Sequence, residues 1–249
     1  MAAVYDSIAL QFQKLNKLPY RLYGEAYTYL NIIGDVAGKS ILDLACGEGF
    51  FTRLLFSYGA ERLVGVDISS KMIELARLEE ASSPKKIEYI IGDVTEVGSL
   101  GSFDLVLSSY LLNYASTKEQ LLKMCQAIAI HLKPGGRFVG LNNNLELPRE
   151  FYHKHEKYGI SRKCTQSLKE GTPITLTLTI PDDGESISIS FDNYYLSKAT
   201  YEWALMSAGF KEICWHQPTI SPEGIQKFGF EFWQDYIDYP DMVGITCIK

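Results

Sequence analysis

The side chains most able to do chemistry cluster around a glycine-rich turn near residue 45. Asp43 interrupts an apolar run from Ile41 to Ala45, and the run stops at Gly47 and Gly49. The residues that follow place apolar side chains at helical spacing, which predicts a buried strand, a tight turn and a helix. Because glycine lacks a Cβ atom, a ligand can lie directly over the backbone of this turn.

Two further carboxylates end short apolar runs. Asp67 closes the run that begins at Arg62, twenty residues after Gly47, where a doubly wound sheet places a ribose-binding carboxylate. One ionised carboxylate can accept hydrogen bonds from both neighbouring ribose hydroxyls. The alternative is that Asp67 caps the next helix, although Ser69 can fill that role. Asp93 ends a third run in a Gly-Asp pair that otherwise indicates an ordinary turn.

The elements that must position these acids alternate between apolar runs and helical periodicity. A fourth run begins at Phe103, and a fifth follows the turn Lys133-Pro-Gly-Gly136. This alternation is typical of α/β folds with a parallel sheet, which bind ligands at the carboxyl ends of their strands. The same edge therefore receives Ser108, Tyr110, Asn113 and Tyr114.

The string Asp43-Leu-Ala-Cys-Gly-Glu-Gly49 resembles motif I of the class I S-adenosylmethionine (SAM)-dependent methyltransferases. A dinucleotide fingerprint, G-x-G-x-x-G/A, would need its third glycine at Thr52, so the chain departs from that pattern. The opening Tyr5-Asp-Ser-Ile-Ala9 resembles the first helix of small-molecule methyltransferases related to the quinone-biosynthesis enzymes. The order of lid, core and late insertion resembles natural-product methyltransferases such as those of toxoflavin and teleocidin pathways.

This resemblance implies a doubly wound, Rossmann-like α/β fold. Its sheet has seven mostly parallel strands with an antiparallel last strand, an N-terminal helical lid and an inserted antiparallel cap. SAM is the implied cofactor, with Asp43 near its methionine amine, Asp67 at its ribose and Asp93 at its adenine amino group. The cofactor-binding residues that the resemblance implies are Tyr5, Arg21, Asp43, Ala45, Cys46, Gly47, Gly49, Asp67, Ile68, Met72, Asp93, Val94 and Ser108.

Two regions outside the core carry the remaining predictions. Before residue 34, Pro19 separates two helical stretches. The resemblance implies that Tyr5, Tyr20 and Arg21 close over the methionine end of SAM, and the alternative is that they are ordinary helix residues. After Asn142 the pattern changes, because Ile174–Ile180 alternates between apolar and polar residues and so does not suit a buried parallel sheet. We predict three regions: a lid and SAM-binding core over 1–142, an inserted cap over 143–196, and the rest of the core over 197–249.

Local patterns in the later part of the chain predict four further features. The expected features are a loop over Asn142–Asn144, a helix over Pro148–Tyr158, a turn over Pro181–Gly184 and a helix over Pro222–Asp238.

Methyl transfer from SAM depends mainly on positioning, since the cofactor itself supplies the driving force. A general base is required only for an acceptor that is protonated when it attacks. The candidate catalytic residues are Tyr114, Asn113, His153 and Tyr195, with His155 and Tyr110 as alternatives. No carboxylate cluster or C-x-x-C pair points to a metal, so we predict a metal-independent reaction.

The composition of the chain argues against nucleic acid and membrane as partners. The net charge of −6, without a basic block, argues against a nucleic-acid partner. No apolar run approaches a membrane span, and five scattered cysteines suit reduced thiols in the cytoplasm.

Several functions stay open. We predict methyl transfer to N, O or C of a small aromatic or heterocyclic metabolite. The alternatives are an NAD-linked oxidoreductase and a catalytically silent SAM-binding scaffold. A further alternative makes the alternating hairpin the interface of a homodimer.

Overall fold

The computed structural model describes residues 2–182 and 185–249. The strands in chain order are β1 (Ser40–Leu44), β2 (Arg62–Asp67), β3 (Glu88–Ile91), β4 (Phe103–Ser109), β5 (Leu132–Asn143), β6 (Ile160–Lys163), β7 (Thr172–Asp182), β8 (Glu185–Tyr195), β9 (Lys211–His216) and β10 (Met242–Ile248). The α-helices are α1 (Ala2–Leu15), α2 (Tyr27–Ile33), α3 (Phe50–Ser57), α4 (Ser70–Ser82), α5 (Lys118–Ile130), α6 (Lys198–Ser207), α7 (Pro222–Phe228) and α8 (Phe230–Asp238).

Seven strands form one sheet in the order β3-β2-β1-β4-β5-β10-β9. Strands β1 to β5 pair in parallel, whereas β10 is antiparallel to both of its neighbours. This confirms the predicted fold class. The strand order reverses direction at β1, whose neighbours are β2 and β4, and a crevice at such a switch point is where open α/β sheets bind ligands.

Local chemistry explains where several helices begin. The side chains of Ser69, Thr117, Ser197 and Ser221 each accept a hydrogen bond from a backbone N–H in the first turn of the helix that follows. Ser69 therefore caps α4, and Asp67 is not needed for that role. Gly49 precedes α3 with φ of 82°, a left-handed conformation that favours glycine.

A second sheet, in the order β6-β7-β8, is fully antiparallel. On its buried face Ile160, Leu176 and Leu178 join an apolar cluster with Leu15 of α1 and Trp233 of α8. Its other face carries exposed Thr-Ser and Thr-Asp pairs, which explains the alternating sequence. The sheet confirms the predicted antiparallel cap, while the exact boundaries of the three regions stay predictions.

The N-terminal helices form the predicted lid. A π-helical segment, Tyr20–Ala26, connects α1 to α2, and α1 contacts α4, β7 and β8. Among the described residues, no helix combines the length and apolar character needed to cross a lipid bilayer.

Some local predictions were wrong. Asn142 and Asn143 are the end of β5 rather than a loop, because β10 continues to pair with them. The predicted helix over Pro148–Tyr158 is confirmed, as a 3₁₀-helix over Arg149–Tyr158. Gly229, with φ of 80°, splits the predicted helix over Pro222–Asp238 in two. The predicted turn over Pro181–Gly184 includes Asp183 and Gly184, which lie outside the described residues.

Candidate functional site

A cavity opens at the carboxyl ends of β1, β2 and β4, beneath α1 and against the second sheet. One side, which we call the core wall, consists of Asp43, Ala45, Cys46, Gly47, Asp67, Ile68, Met72, Asp93 and Val94. The opposite side, which we call the outer wall, consists of residues of the lid and the second sheet: Phe12, Leu15, Tyr20, Ile160, Leu176, Leu178 and Phe191. The core wall is acidic and the outer wall is largely apolar.

The glycine turn in the core wall has a left-handed backbone conformation at three residues. Ala45, Gly47 and Gly49 all have positive φ, at 60°, 57° and 82°. A Cβ atom added to Gly47 would meet no protein atom within 4 Å, so the space above this residue is free for a ligand. A Cβ at Gly49 would instead press on the Tyr89 hydroxyl, so Gly49 serves the turn and does not line the cavity.

Asp67 braces this turn. One carboxylate oxygen accepts from the Gly47 N–H at 2.8 Å and the other from the Ser69 N–H at 2.8 Å. Burial raises the pKa of Asp67 above its ordinary value, although the two backbone donors oppose that rise. A carboxylate offers about four acceptor positions, so Asp67 can accept further hydrogen bonds from a ligand in the cavity.

Asp43 lies deeper in the core wall. Only 2% of its surface is exposed, and it accepts a hydrogen bond from the Thr52 hydroxyl at 2.6 Å. Burial raises the pKa of Asp43 to about 7, and the charge of nearby Asp67 adds to that rise. Asp93 is half-buried and accepts from the backbone and the hydroxyl of Thr95, both at 2.8 Å.

Arg21 and Glu25 form a buried ion pair at the cavity, where the lid meets the core. Arg21 also donates to the Asn16 side chain at 3.1 Å, and Glu25 accepts from the Tyr110 hydroxyl at 3.0 Å. The Nε atom of Arg21 is buried and makes no hydrogen bond within the described part of the chain. This unsatisfied donor can bind an anionic group of a ligand.

The lid is attached to the core by polar contacts beside the core wall. Asp6 accepts from the Ser69 hydroxyl at 2.7 Å and from the Lys71 N–H at 3.0 Å, at the start of α4. Asn16 donates to Glu48, beside the glycine turn, at 2.6 Å. These contacts hold α1 over the cavity.

Tyr5 and Tyr114 join the lid to the end of β4 through a hydrogen bond between their hydroxyls. Both rings also contact Phe191 of β8. Burial raises the pKa of Tyr114 to about 12, so this hydroxyl stays protonated at neutral pH. The two tyrosines and Phe191 therefore form an aromatic surface between the lid and the second sheet.

The structure brings together most of the predicted site residues but not all of them. Gly49, Ser108, Asn113, His153 and Tyr195 are not among the described residues that line the cavity. Ser109 lines it in place of Ser108, and Asn113 is buried with its side-chain oxygen accepting from the Asn143 N–H at 3.2 Å. His153 is exposed, and Tyr195 is half-buried at the end of β8. These positions do not favour catalytic roles for His153 or Tyr195.

Sequence reasoning also missed residues that line the cavity. On the far side from the glycine turn they include Asn143, Arg162, Phe191, Asn193 and Asp241. Phe191 belongs to an alternating run whose inward face could have been chosen by its apolar residues, whereas nothing local distinguishes Arg162 from a solvated surface arginine.

Comparisons with known proteins agree with this architecture. The family model described as a methyltransferase domain matches residues 41–136. The chain is 31% identical to a demethylmenaquinone methyltransferase of Lactococcus lactis over 179 residues, which cover 67% of this chain and 70% of that protein. It is 30% identical to a ubiquinone biosynthesis O-methyltransferase of Bordetella avium over 124 residues, so it spans about half of that relative's length, at 48%.

The fold also matches a solved structure. The S-adenosylmethionine-dependent methyltransferase from Mesorhizobium loti superposes with a TM-score of 0.63 at 21% identity, covering 94% of this chain and 100% of that chain. At that identity the match shows a shared fold.

Proposed function

We propose that this chain, which belongs to the SAM-dependent methyltransferase family, transfers the methyl group of SAM to a small, flat acceptor held between the core wall and the outer wall. The observation that carries the proposal is one continuous cavity with an acidic, glycine-lined side and an aromatic, apolar side. The first side suits SAM and the second suits an uncharged ring.

The residues of the core wall fit SAM by their hydrogen-bonding chemistry. The ribose hydroxyls, the adenine amino group and the methionine ammonium are donors, and Asp67, Asp93 and Asp43 are acceptors that would bind them in that order. The methionine carboxylate is an acceptor, and the unsatisfied Nε of Arg21 would donate to it. The open space over Gly47 would admit the body of the cofactor.

When bound, SAM supplies a methyl group that an electron-rich N, O or C atom can take by in-line displacement at carbon. The chain contributes positioning and the exclusion of water. The apolar side chains of the outer wall keep water away from the acceptor, and the aromatic surface of Tyr5, Tyr114 and Phe191 orients its ring. Because the Tyr114 hydroxyl stays protonated, it would orient the acceptor by hydrogen bonding rather than remove its proton.

Two relatives support a flat acceptor. Their names assign them to demethylmenaquinone and to ubiquinone biosynthesis. A nicotinamide dinucleotide is disfavoured as the ligand, since Thr52 occupies the place of the third glycine and is buried against Asp43.

The test is incubation with SAM and a panel of ring and aliphatic metabolites, followed by mass spectrometry for the gain of one CH₂ unit. Calorimetry with S-adenosylhomocysteine (SAH) measures cofactor binding in parallel. We expect SAH to bind and ring compounds to be methylated. Binding of SAH without methylation of any ring compound would contradict the proposed acceptor, and failure to bind SAH would contradict the cofactor assignment.

A further inference from the structure

Four polar side chains meet on the cavity surface where the second sheet contacts the core sheet. Arg162 lies on β6, Asn193 on β8, Asn143 at the end of β5, and Asp241 directly before β10. All four line the cavity, and we call them the polar pole. The other residues of the second sheet that line the cavity are apolar, so the polar pole is a polar patch on this part of the cavity surface.

An ion pair forms the centre of the polar pole. Arg162 Nη1 contacts Asp241 Oδ1, and only 5% and 7% of these side chains are exposed. The other terminal nitrogen, Nη2, reaches Asn143 Oδ1 at 3.3 Å and the Asp241 carbonyl at 3.4 Å, both long for an N–H···O bond. Asn143 in turn donates to Asn193 at 2.9 Å. Because both bonds of Arg162 Nη2 are long, a ligand carbonyl can replace one of them, and the carboxylate of Asp241 has further acceptor positions beyond the one that Arg162 occupies.

His155 lies behind Asp241 without neutralising it. Its Nε2 is 2.7 Å from the Tyr239 carbonyl, which can only accept, so Nε2 carries the proton. Its Nδ1 is 3.7 Å from Asp241 Oδ1 and has no hydrogen bond within the described residues. Burial, together with the charge of Arg162, lowers the pKa of His155 to about 4. At neutral pH the polar pole thus carries one positive and one negative charge.

Such a pair is not explained by stability, because a buried ion pair seldom stabilises a fold more than well-packed apolar residues of similar volume. Its balanced charge also disfavours a bare anion, which Asp241 would repel, and a bare cation, which Arg162 would repel. What it matches is a neutral group with an acceptor next to a donor.

We infer that the polar pole recognises an acceptor ring in which a carbonyl oxygen adjoins an N–H or O–H group, such as a lactam. Arg162 donates to the carbonyl oxygen, and Asp241 accepts from the neighbouring donor. This rests on the proposed function and names the class of substrate for the same cavity.

The experiment uses the full chain loaded with SAH and two probes of nearly identical shape, 2-quinolone and coumarin. They differ in that the ring N–H of the lactam is replaced by an oxygen in coumarin, so only 2-quinolone can donate to Asp241. We expect 2-quinolone to bind about tenfold more tightly, as measured by calorimetry, because one charge-assisted hydrogen bond is lost with coumarin.

The variant that tests the residues is the double substitution Arg162→Met and Asp241→Leu, which removes both charges together and leaves none unpaired. It should lose the preference for 2-quinolone and keep SAH affinity within about twofold. The matched control is Lys157→Met with Asp235→Leu, an ion pair at 2.8 Å whose members do not line the cavity. That control should keep the preference.

Equal affinities for the two probes, or no binding of either, would overturn the inference. So would a preference that persists in the double variant. SAH binding and methylation of other ring compounds in the same protein would show that the proposed function survives such a failure.

Discussion

The two walls of the cavity are built in different ways. The core wall comes from residues 43–94, at the carboxyl ends of consecutive parallel strands and in the segments that follow them, and backbone pairing sets the positions of these strand ends. The outer wall comes from α1, the π-helical segment and the second sheet, which are distant in sequence and held by side-chain packing. Under the proposed function, cofactor recognition is therefore encoded locally, whereas acceptor recognition depends on how separate elements dock.

The largest effect should come from the core wall. Asp67→Ala removes the brace of the glycine turn and, under the proposed function, the acceptor for the ribose. We expect SAH affinity to fall by about ten- to a hundredfold, the cost of losing charge-assisted hydrogen bonds. Calorimetry on the folded variant measures this change.

Asp104→Ala is the matched control for Asp67→Ala. Asp104 also accepts from a backbone N–H, that of Ser40 at 2.9 Å, but it lies at the opposite end of the sheet. SAH affinity should be nearly unchanged in this variant. If both variants lose affinity equally, the loss reflects general destabilisation and the role of Asp67 is not supported.

A smaller and different effect should come from the outer wall. Phe191→Ala removes an aromatic ring that contacts Tyr5 and Tyr114 at the cavity. We expect about a tenfold loss in kcat/KM for the acceptor, with SAH affinity changed by less than about twofold. Steady-state kinetics with a ring acceptor and calorimetry with SAH separate the two quantities. If kcat/KM for the acceptor and SAH affinity fall by the same factor, the two walls do not serve different ligands.

The smallest expected effect is the pH dependence of SAH binding, which tests the role of Asp43 in the core wall. The pKa of Asp43 is about 7 in the free protein, and a ligand ammonium beside it would lower that pKa. The bound state then holds fewer protons, so SAH binding should release a proton and tighten by up to about tenfold as the pH rises from about 6 to about 8. Calorimetry in two buffers with different ionisation enthalpies measures the proton release. Asp43→Asn should reduce it, and release that persists in that variant would assign it to another group.

The core wall could be predicted from sequence because its signals are local. An apolar run that ends in an acid, as at Asp67, identifies a strand end, and parallel pairing then brings all such ends to one edge of the sheet. The one misplaced residue on β4 shows the limit. Ser109 lines the cavity and Ser108 does not. Neighbouring residues of a strand face opposite sides of the sheet, and the chain turns directly afterwards at Tyr110, which has φ of 62°.

The outer wall could not be predicted with the same accuracy. Arg162 lies in a short, polar strand. Its guanidinium is buried beside Asp241, which is distant in sequence and neutralises its charge. Phe151 lies within the predicted cap, but it stacks on Tyr239 with ring centroids 4.1 Å apart and does not line the cavity. Both outcomes depend on how the second sheet docks, which no local pattern specifies.

The attachment of α1 to both walls has a consequence for the order of events in turnover. Asp6 of α1 and Asn16, which directly follows α1, contact residues beside the core wall, while Tyr5 and Phe12 of α1 line the part of the cavity that we propose for the acceptor. A cofactor that enters or leaves beneath α1 must loosen the contacts that complete the acceptor site. We therefore expect a compulsory sequence in which SAM is first to bind and SAH is last to leave, so that SAH inhibits competitively against SAM but not against the acceptor.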